Sequence, residues 1–154
     1  MVRSPSRVRL CMTLLILNIA FIWGNSLLSA DLSRAFSTWV KGLVSWLLPD
    51  GGAEGVGGGH HLLRKLAHFA EFTGLGLWLT WLAAMVRRLP WEHWIWPLLG
   101  GIAVACVDEI IQIFVPGRGP GLLDVGIDTL GVCLGIVLIN LLKSIKTKFW
   151  RKIQ

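Results

Sequence analysis

Residues 62–86 read LLRKLAHFAEFTGLGLWLTWLAAMV. The stretch is long enough to cross a hydrocarbon core, which takes about 20 residues of helix. Its ionisable side chains, Arg64, Lys65, His68 and Glu71, all fall near its start, and nothing charged follows Glu71. Two further apolar runs likewise gather the polar groups that lie at membrane depth toward one end, with Glu92 and His93 at the very start of the first of them. Trp91 to Val115 carries Asp108, Glu109 and Gln112 toward its end, and Leu122 to Leu142 carries Asp124 and Asp128 toward its start. Threaded alternately through a bilayer, the three polar ends emerge on one side. With a first run from Leu10 to Leu28, the pattern predicts an all-α membrane protein. It would be a single domain over residues 1–154, built as a bundle of four transmembrane helices at 10–28, 62–86, 91–115 and 122–142. Charge at membrane depth is costly, so several ionisable groups at one level mark a functional site.

Composition agrees. Of 154 residues, 54% are hydrophobic and 16% charged, and mean hydropathy is +0.64. A soluble domain of this size is far more polar. Nine Trp and no Tyr fit a bilayer, because Trp gathers at membrane interfaces. In a soluble protein the net charge of +6 would raise nucleic acid as a partner. Here the bases lie between apolar runs and no nucleic-acid motif is present, so orientation and anionic lipid account for them. Cys11, Cys106 and Cys133 all lie inside apolar runs, make no CxxC pair and read as small hydrophobes.

Arg3, Arg7 and Arg9 ahead of an apolar run also suit a signal peptide. A cleavage site after Ala30 would place bulky Leu28 where a small residue is needed, so the run is read as an uncleaved span. With four spans, the N-terminus, the second connection and the C-terminus share a side. They hold Arg3, Arg7, Arg9, Arg87, Arg88, Lys143, Lys146, Lys148, Arg151 and Lys152. The opposite side holds only Arg34, Lys41, Arg64, Lys65 and Arg118. The positive-inside rule then puts both termini in the cytoplasm of a multi-pass plasma-membrane protein and the polar ends outside. Trp91, Trp94 and Trp96, beside the Pro90 turn, form an interfacial belt at the other end.

The long outer connection holds Leu32, Phe36, Trp39, Leu43, Trp46 and Leu47 at helical spacing. This predicts an extracytoplasmic amphipathic helix over residues 32–48, lying on the outer leaflet or packed on the bundle. Pro49, Gly51-Gly52 and Gly57-Gly58-Gly59 make a flexible linker without the Lys-Ser/Thr ending of a P-loop. His60-His61 read as solvated linker histidines, since two adjacent histidines cannot both face one ion from a helix.

The depths of the polar groups coincide. At 1.5 Å per residue, His68 and Glu71 lie about 9 and about 14 Å below the outer start of the second span. Asp108 lies about 10 Å and Asp128 about 9 Å below the outer ends of theirs. Arg64, His68 and Glu71 share a helix face, as do Asp108 with Gln112 and Asp124 with Asp128. Glu71, Asp108, Glu109, Asp124 and Asp128 outnumber Arg64, Lys65 and Arg118. The excess negative charge must be met by protonation, by a wet cavity, or by a hard divalent cation such as Mg²⁺ or Ca²⁺. Arg118 sits at the apex of Val115-Pro116-Gly117-Arg118-Gly119-Pro120-Gly121, over the expected cavity mouth, with a guanidinium fork suited to phosphate or carboxylate. Gly74, Gly76, Gly100-Gly101, Gly126, Gly131 and Gly135 permit close helix approach.

Three blocks in this order resemble the VanZ-like family: Arg64-Lys65-Leu66-Ala67-His68-Phe69-Ala70-Glu71-Phe72, Asp108-Glu109-Ile110-Ile111-Gln112-Ile113-Phe114-Val115-Pro116-Gly117-Arg118, and Asp124-Val125-Gly126-Ile127-Asp128-Thr129-Leu130-Gly131. Asn25-Ser26 and the serines from Ser29 to Ser33 extend the resemblance more weakly. Phe72 stands where the family usually has Tyr, and Ile111 where many members have His. The resemblance implies an integral membrane protein. It also implies a link to low-level resistance to teicoplanin, a glycopeptide that acts on outer-leaflet cell-wall precursors. It implies no reaction.

The leading expectation is a cell-envelope protein that binds an anionic lipid or lipid-linked precursor head group in an outward-facing polar cavity. Arg118, Arg64 and Lys65 would hold the anion, with Asp108, Gln112 and Asp124 lining the site. Glu71, Glu109 and Asp128 would bind a divalent ion or the sugar. The alternative is an intramembrane enzyme using Glu71, Glu109, Asp128 or His68 as general acid or base on a lipid head group. A purely structural network and a proton or cation path remain as further readings. The path is disfavoured because the cytoplasmic halves of the spans are almost wholly apolar.

Overall fold

The structure, a computed structural model, describes residues 5–28, 38–39, 42, 59–86, 89, 91–119 and 121–153, without the side chains of 59–63 and 146–153. Among the described residues there is no strand and there are four long helices: α1 (Pro5–Ser26), α2 (Gly59–Val86), α3 (Glu92–Ile113) and α4 (Leu122–Ile153). Each contains a segment long and apolar enough to cross a membrane: Pro5–Ser26, Arg64–Val86, Glu92–Ile113 and Leu122–Ile145. The chain is an all-α, multi-pass membrane protein. The second helix starts before Leu62, and the last continues past Leu142 to Ile153. The amphipathic helix expected over residues 32–48 lies outside the described residues except at 38, 39 and 42.

In lipid every polar backbone group must be satisfied within the protein, which is why the apolar runs fold as helices. Hydroxyls inside the runs obey the same constraint. Thr73 Oγ1 donates to the Phe69 carbonyl at 2.7 Å, and Thr80 Oγ1 to the Gly76 carbonyl at 2.7 Å. Each serves an acceptor one turn back.

α2 is the central element. It packs against the other three helices, most extensively against α4, while α3 also meets both α1 and α4. Glycine sets how close α2 and α4 come. A Cβ on Gly76 would collide with the Val132 carbonyl, and one on Gly135 with the Thr73 carbonyl. One on Gly131 would stand 2.6 Å from the Phe69 carbonyl. Val132, fully buried, also fills the space above Gly101 of α3, where a Cβ would lie 2.6 Å from its methyls. Gly126 differs from the expectation, because no atom lies within 4 Å of a Cβ built there. Ile22, Phe72, Leu75, Ala105, Val132 and Ile136 form the buried core around this seam.

The outward faces carry exposed Leu, Ile, Val and Phe on all four helices, the surface a bilayer covers. Trp91, Trp94 and Trp96 are exposed together at the α2–α3 end. At the opposite end α3 tightens before it stops, with Phe114 N–H donating to Ile111 O and Val115 N–H to Gln112 O. Gly117 then takes φ 76, and Arg118 N–H closes onto Val115 O at 3.1 Å. A left-handed glycine after proline makes the tight reversal that a type II turn requires. Its short span places the end of α3 beside the start of α4, so their carboxylates face one volume.

Candidate functional site

The polar ends of α2, α3 and α4 do meet. Asp108 and Gln112, one turn apart on α3, are 0% and 2% exposed. Gln112 Nε2 donates to Asp108 Oδ2 at 2.8 Å. His68 of α2 places Nδ1 3.7 Å from that same oxygen and 4.0 Å from Asp128 Oδ1 of α4. Asp128 is 1% exposed. The His68 ring lies nearly parallel to that of Phe72, one turn on, with ring centroids 6.5 Å apart. Nearer the surface, Lys65 Nζ pairs with Asp124 Oδ1 at 2.9 Å, both half open to solvent or head groups. Glu109 Oε2 accepts the Gly121 N–H at 2.7 Å, so this carboxylate ties α3 to the residue that opens α4.

These groups surround a small cleft with room for about one water molecule. α2 contributes Arg64, Lys65 and His68, α3 Glu109 and Gln112, and α4 Asp124, Ile127 and Asp128. Asp108 lies behind this wall. Glu71 and Arg118 do not line the cleft, and both turn toward α1. Asn25 Nδ2 donates to Glu71 Oε1 at 2.8 Å, and Arg118 Nη2 donates to the Asn25 carbonyl at 3.1 Å. Arg118 is therefore not suspended over the mouth. It places positive charge at the C-terminus of α1, where the helix dipole favours it. Burial is the larger cause, and the nearby Arg64 charge the next, that hold the Arg118 guanidinium below its ordinary value. It remains a cation.

Asn25 and Ser26 are the partners that sequence reasoning undervalued. Ser26, fully buried, lies 3.4 Å from Gln112 Nε2. The signal was present: they are the polar end of an otherwise apolar first run, at the level of the other polar ends.

The polar layer is incompletely satisfied among the described residues. Glu71 Oε2, Asp108 Oδ1, Glu109 Oε1, Gln112 Oε1 and Asp128 Oδ2 are buried acceptors without a donor, and Arg118 Nε and Nη1 are buried donors without an acceptor. Buried polar atoms are normally paired, so such a concentration marks where another molecule, ion or water completes the network. The arrangement can do two things. Its cations and open guanidinium nitrogens suit an anion, while its bare carboxylate oxygens suit hydroxyls or a metal ion.

A family model described as VanZ/LLP1 matches residues 9–143, which includes all three polar blocks and the end of α1. No curated protein and no solved structure gives a match.

Proposed function

The chain belongs to the VanZ-like family, and from that premise we propose that its polar end binds the head group of an anionic lipid or lipid-linked cell-wall precursor. Both termini lie in the cytoplasm in this reading, and the cleft opens toward the outer leaflet. The observation that carries it is one cleft with a basic rim and an acidic floor. Arg64 and Lys65 stand at the rim, and the floor holds Glu109 and Asp128, each with a buried oxygen lacking a donor. A phosphate bearing hydroxyl groups complements both. Ile127, the apolar residue of the cleft, lies one turn from strongly exposed Leu123, so the way in is apolar enough for a lipid tail. Binding would change what a glycopeptide such as teicoplanin can reach.

A second reading has its own support. His68 stands between two buried carboxylates, Asp108 and Asp128, the setting of a general base acting on a head-group hydroxyl. An enzyme would release a chemically altered lipid, and a binder would not.

The reading is tested in nanodiscs by titrating phosphatidylglycerol against phosphatidylcholine, with product analysis of the same lipids. Preference for the anionic head group without new lipid species supports binding, new species support the second reading, and equal binding of both lipids removes the first. For the glycopeptide role, a Gram-positive host expressing the chain is expected to tolerate more teicoplanin. Glu109→Gln and Arg118→Ala, at matched membrane levels, are expected to lose that gain. No protection by the wild type ends that role.

A further inference from the structure

We infer that His68, Asp108 and Asp128 form a binding site for a divalent first-row transition metal, Zn²⁺ or Mn²⁺, at the floor of the cleft. The three residues come from three different helices, and each offers a ligand atom within 4.8 Å of the other two. Metal–ligand bonds of about 2.0–2.2 Å place neighbouring ligands of a tetrahedral site about 3.4 Å apart. His68 Nδ1 lies 3.7 Å from Asp108 and 4.0 Å from Asp128, and all three ligand atoms lie within 4.8 Å of one another, so the side chains must draw together around the ion.

Three further observations point to a cation rather than to a chance meeting of acids. Both aspartates are at least 99% buried, and each keeps an oxygen without a partner. Two carboxylates without a paired cation are expensive at this depth, and a divalent ion neutralises both at once. The Gln112 amide also holds Asp108 in place at 2.8 Å, the kind of supporting hydrogen bond that orients a metal-binding carboxylate.

The donor set selects the metal class. Mg²⁺ and Ca²⁺ take oxygen ligands, and an imidazole with two carboxylates suits Zn²⁺ or Mn²⁺ better. The structure thus gathers a different trio from the Glu71, Glu109 and Asp128 expected for a hard cation. Glu71 is engaged by Asn25, and Glu109 by Gly121. Three protein ligands leave coordination positions open, and His68 and Asp128 face the cleft. A metal there would meet the phosphate or hydroxyl of a bound head group. The inference rests on the reading of the polar end as a binding site, but the two can fail separately.

The test uses the full-length chain in detergent, carrying His60→Ala and His61→Ala to remove the two histidines that the structure places in the first turn of α2 rather than in a linker. The protein is stripped with chelator and dialysed against Zn²⁺ or Mn²⁺ in excess Mg²⁺, and bound metal is counted by mass spectrometry. The expected result is about one Zn²⁺ or Mn²⁺ per chain, with affinity at least about 100-fold lower in Asp108→Asn and Asp128→Asn. Should the Asn variants fail to fold, Co²⁺ loading of His68→Cys replaces them, and a thiolate-to-cobalt charge-transfer band is expected only if position 68 is a ligand. No metal retained over Mg²⁺, or retention and cobalt spectra indifferent to all three substitutions, overturns the inference. Metal-free protein that still prefers anionic lipid would end the metal site alone. Metal binding without lipid preference would end the head-group reading alone.

Discussion

The glycine seam and the polar end lie on the same helices and are built on opposite principles. At Gly76, Gly131 and Gly135, α2 and α4 approach until backbone meets backbone, with no room for a methyl group. Toward the start of the same two helices, Arg64, Lys65, His68, Asp124 and Asp128 stand around an open cleft, with Asp128 Oδ2 buried and lacking a donor. Lipid offers little hydrophobic drive for helix association, so close packing of small residues does that work. The seam sets how close α2 and α4 come, and the Lys65–Asp124 ion pair joins the same two helices nearer their start. Close packing and unpaired polar chemistry thus occupy different stretches of the same two helices, so substitutions can address them separately.

The largest expected effect comes from breaking the seam. Gly135→Leu forces a side chain into the Thr73 carbonyl, and its cost is expected to be about 3 kcal/mol or more. Thermal unfolding in detergent should show a large fall or no folded protein. Arg118→Ala comes next, because it removes a charged hydrogen bond to the end of α1 worth about 1.5–3 kcal/mol. It should lower the unfolding midpoint and weaken anionic lipid binding together, since Arg118 braces the end of α1 and carries positive charge at the polar end. Gln112→Leu strips the donor from buried Asp108 Oδ2, at about 1–3 kcal/mol, and should weaken Zn²⁺ binding by about tenfold. A metal titration of this variant that matches the wild type would separate Gln112 from the metal floor. The smallest effect tests the seam from its own residue type. Gly126→Ala meets open space, and helix propensity favours it by up to about 1 kcal/mol. A destabilised Gly126→Ala would mean that glycine in α4 serves something other than close approach.

Much of this was legible in the sequence because length and hydropathy alone define a span. The one-ended placement of charge likewise fixed which ends meet, and His68, Asp108 and Asp128 lie together as their depths required. Rotation about the helix axis was less legible. Arg64, His68 and Glu71 share a face by spacing, yet α2 sits between α1 and α4, so His68 reaches Asp128 while Glu71 reaches Asn25. Arg118 is similar. Its position in the turn was plain, but a long side chain on a tight turn can swing either way, and the α1 carbonyl end drew it aside. Gly126 and Gly131 look alike in sequence, and only the helix facing each one distinguishes open space from a contact.

Arg64 separates the two regions most cleanly. It lines the cleft, and among the described residues it makes no hydrogen bond or ion pair. The decisive measurement is anionic lipid affinity and unfolding midpoint in the same nanodisc samples, wild type against Arg64→Ala. The expected result is at least about a tenfold loss of affinity with stability held within about 0.5 kcal/mol. Unchanged affinity, or affinity lost only in step with stability, would contradict a polar end that exists to bind.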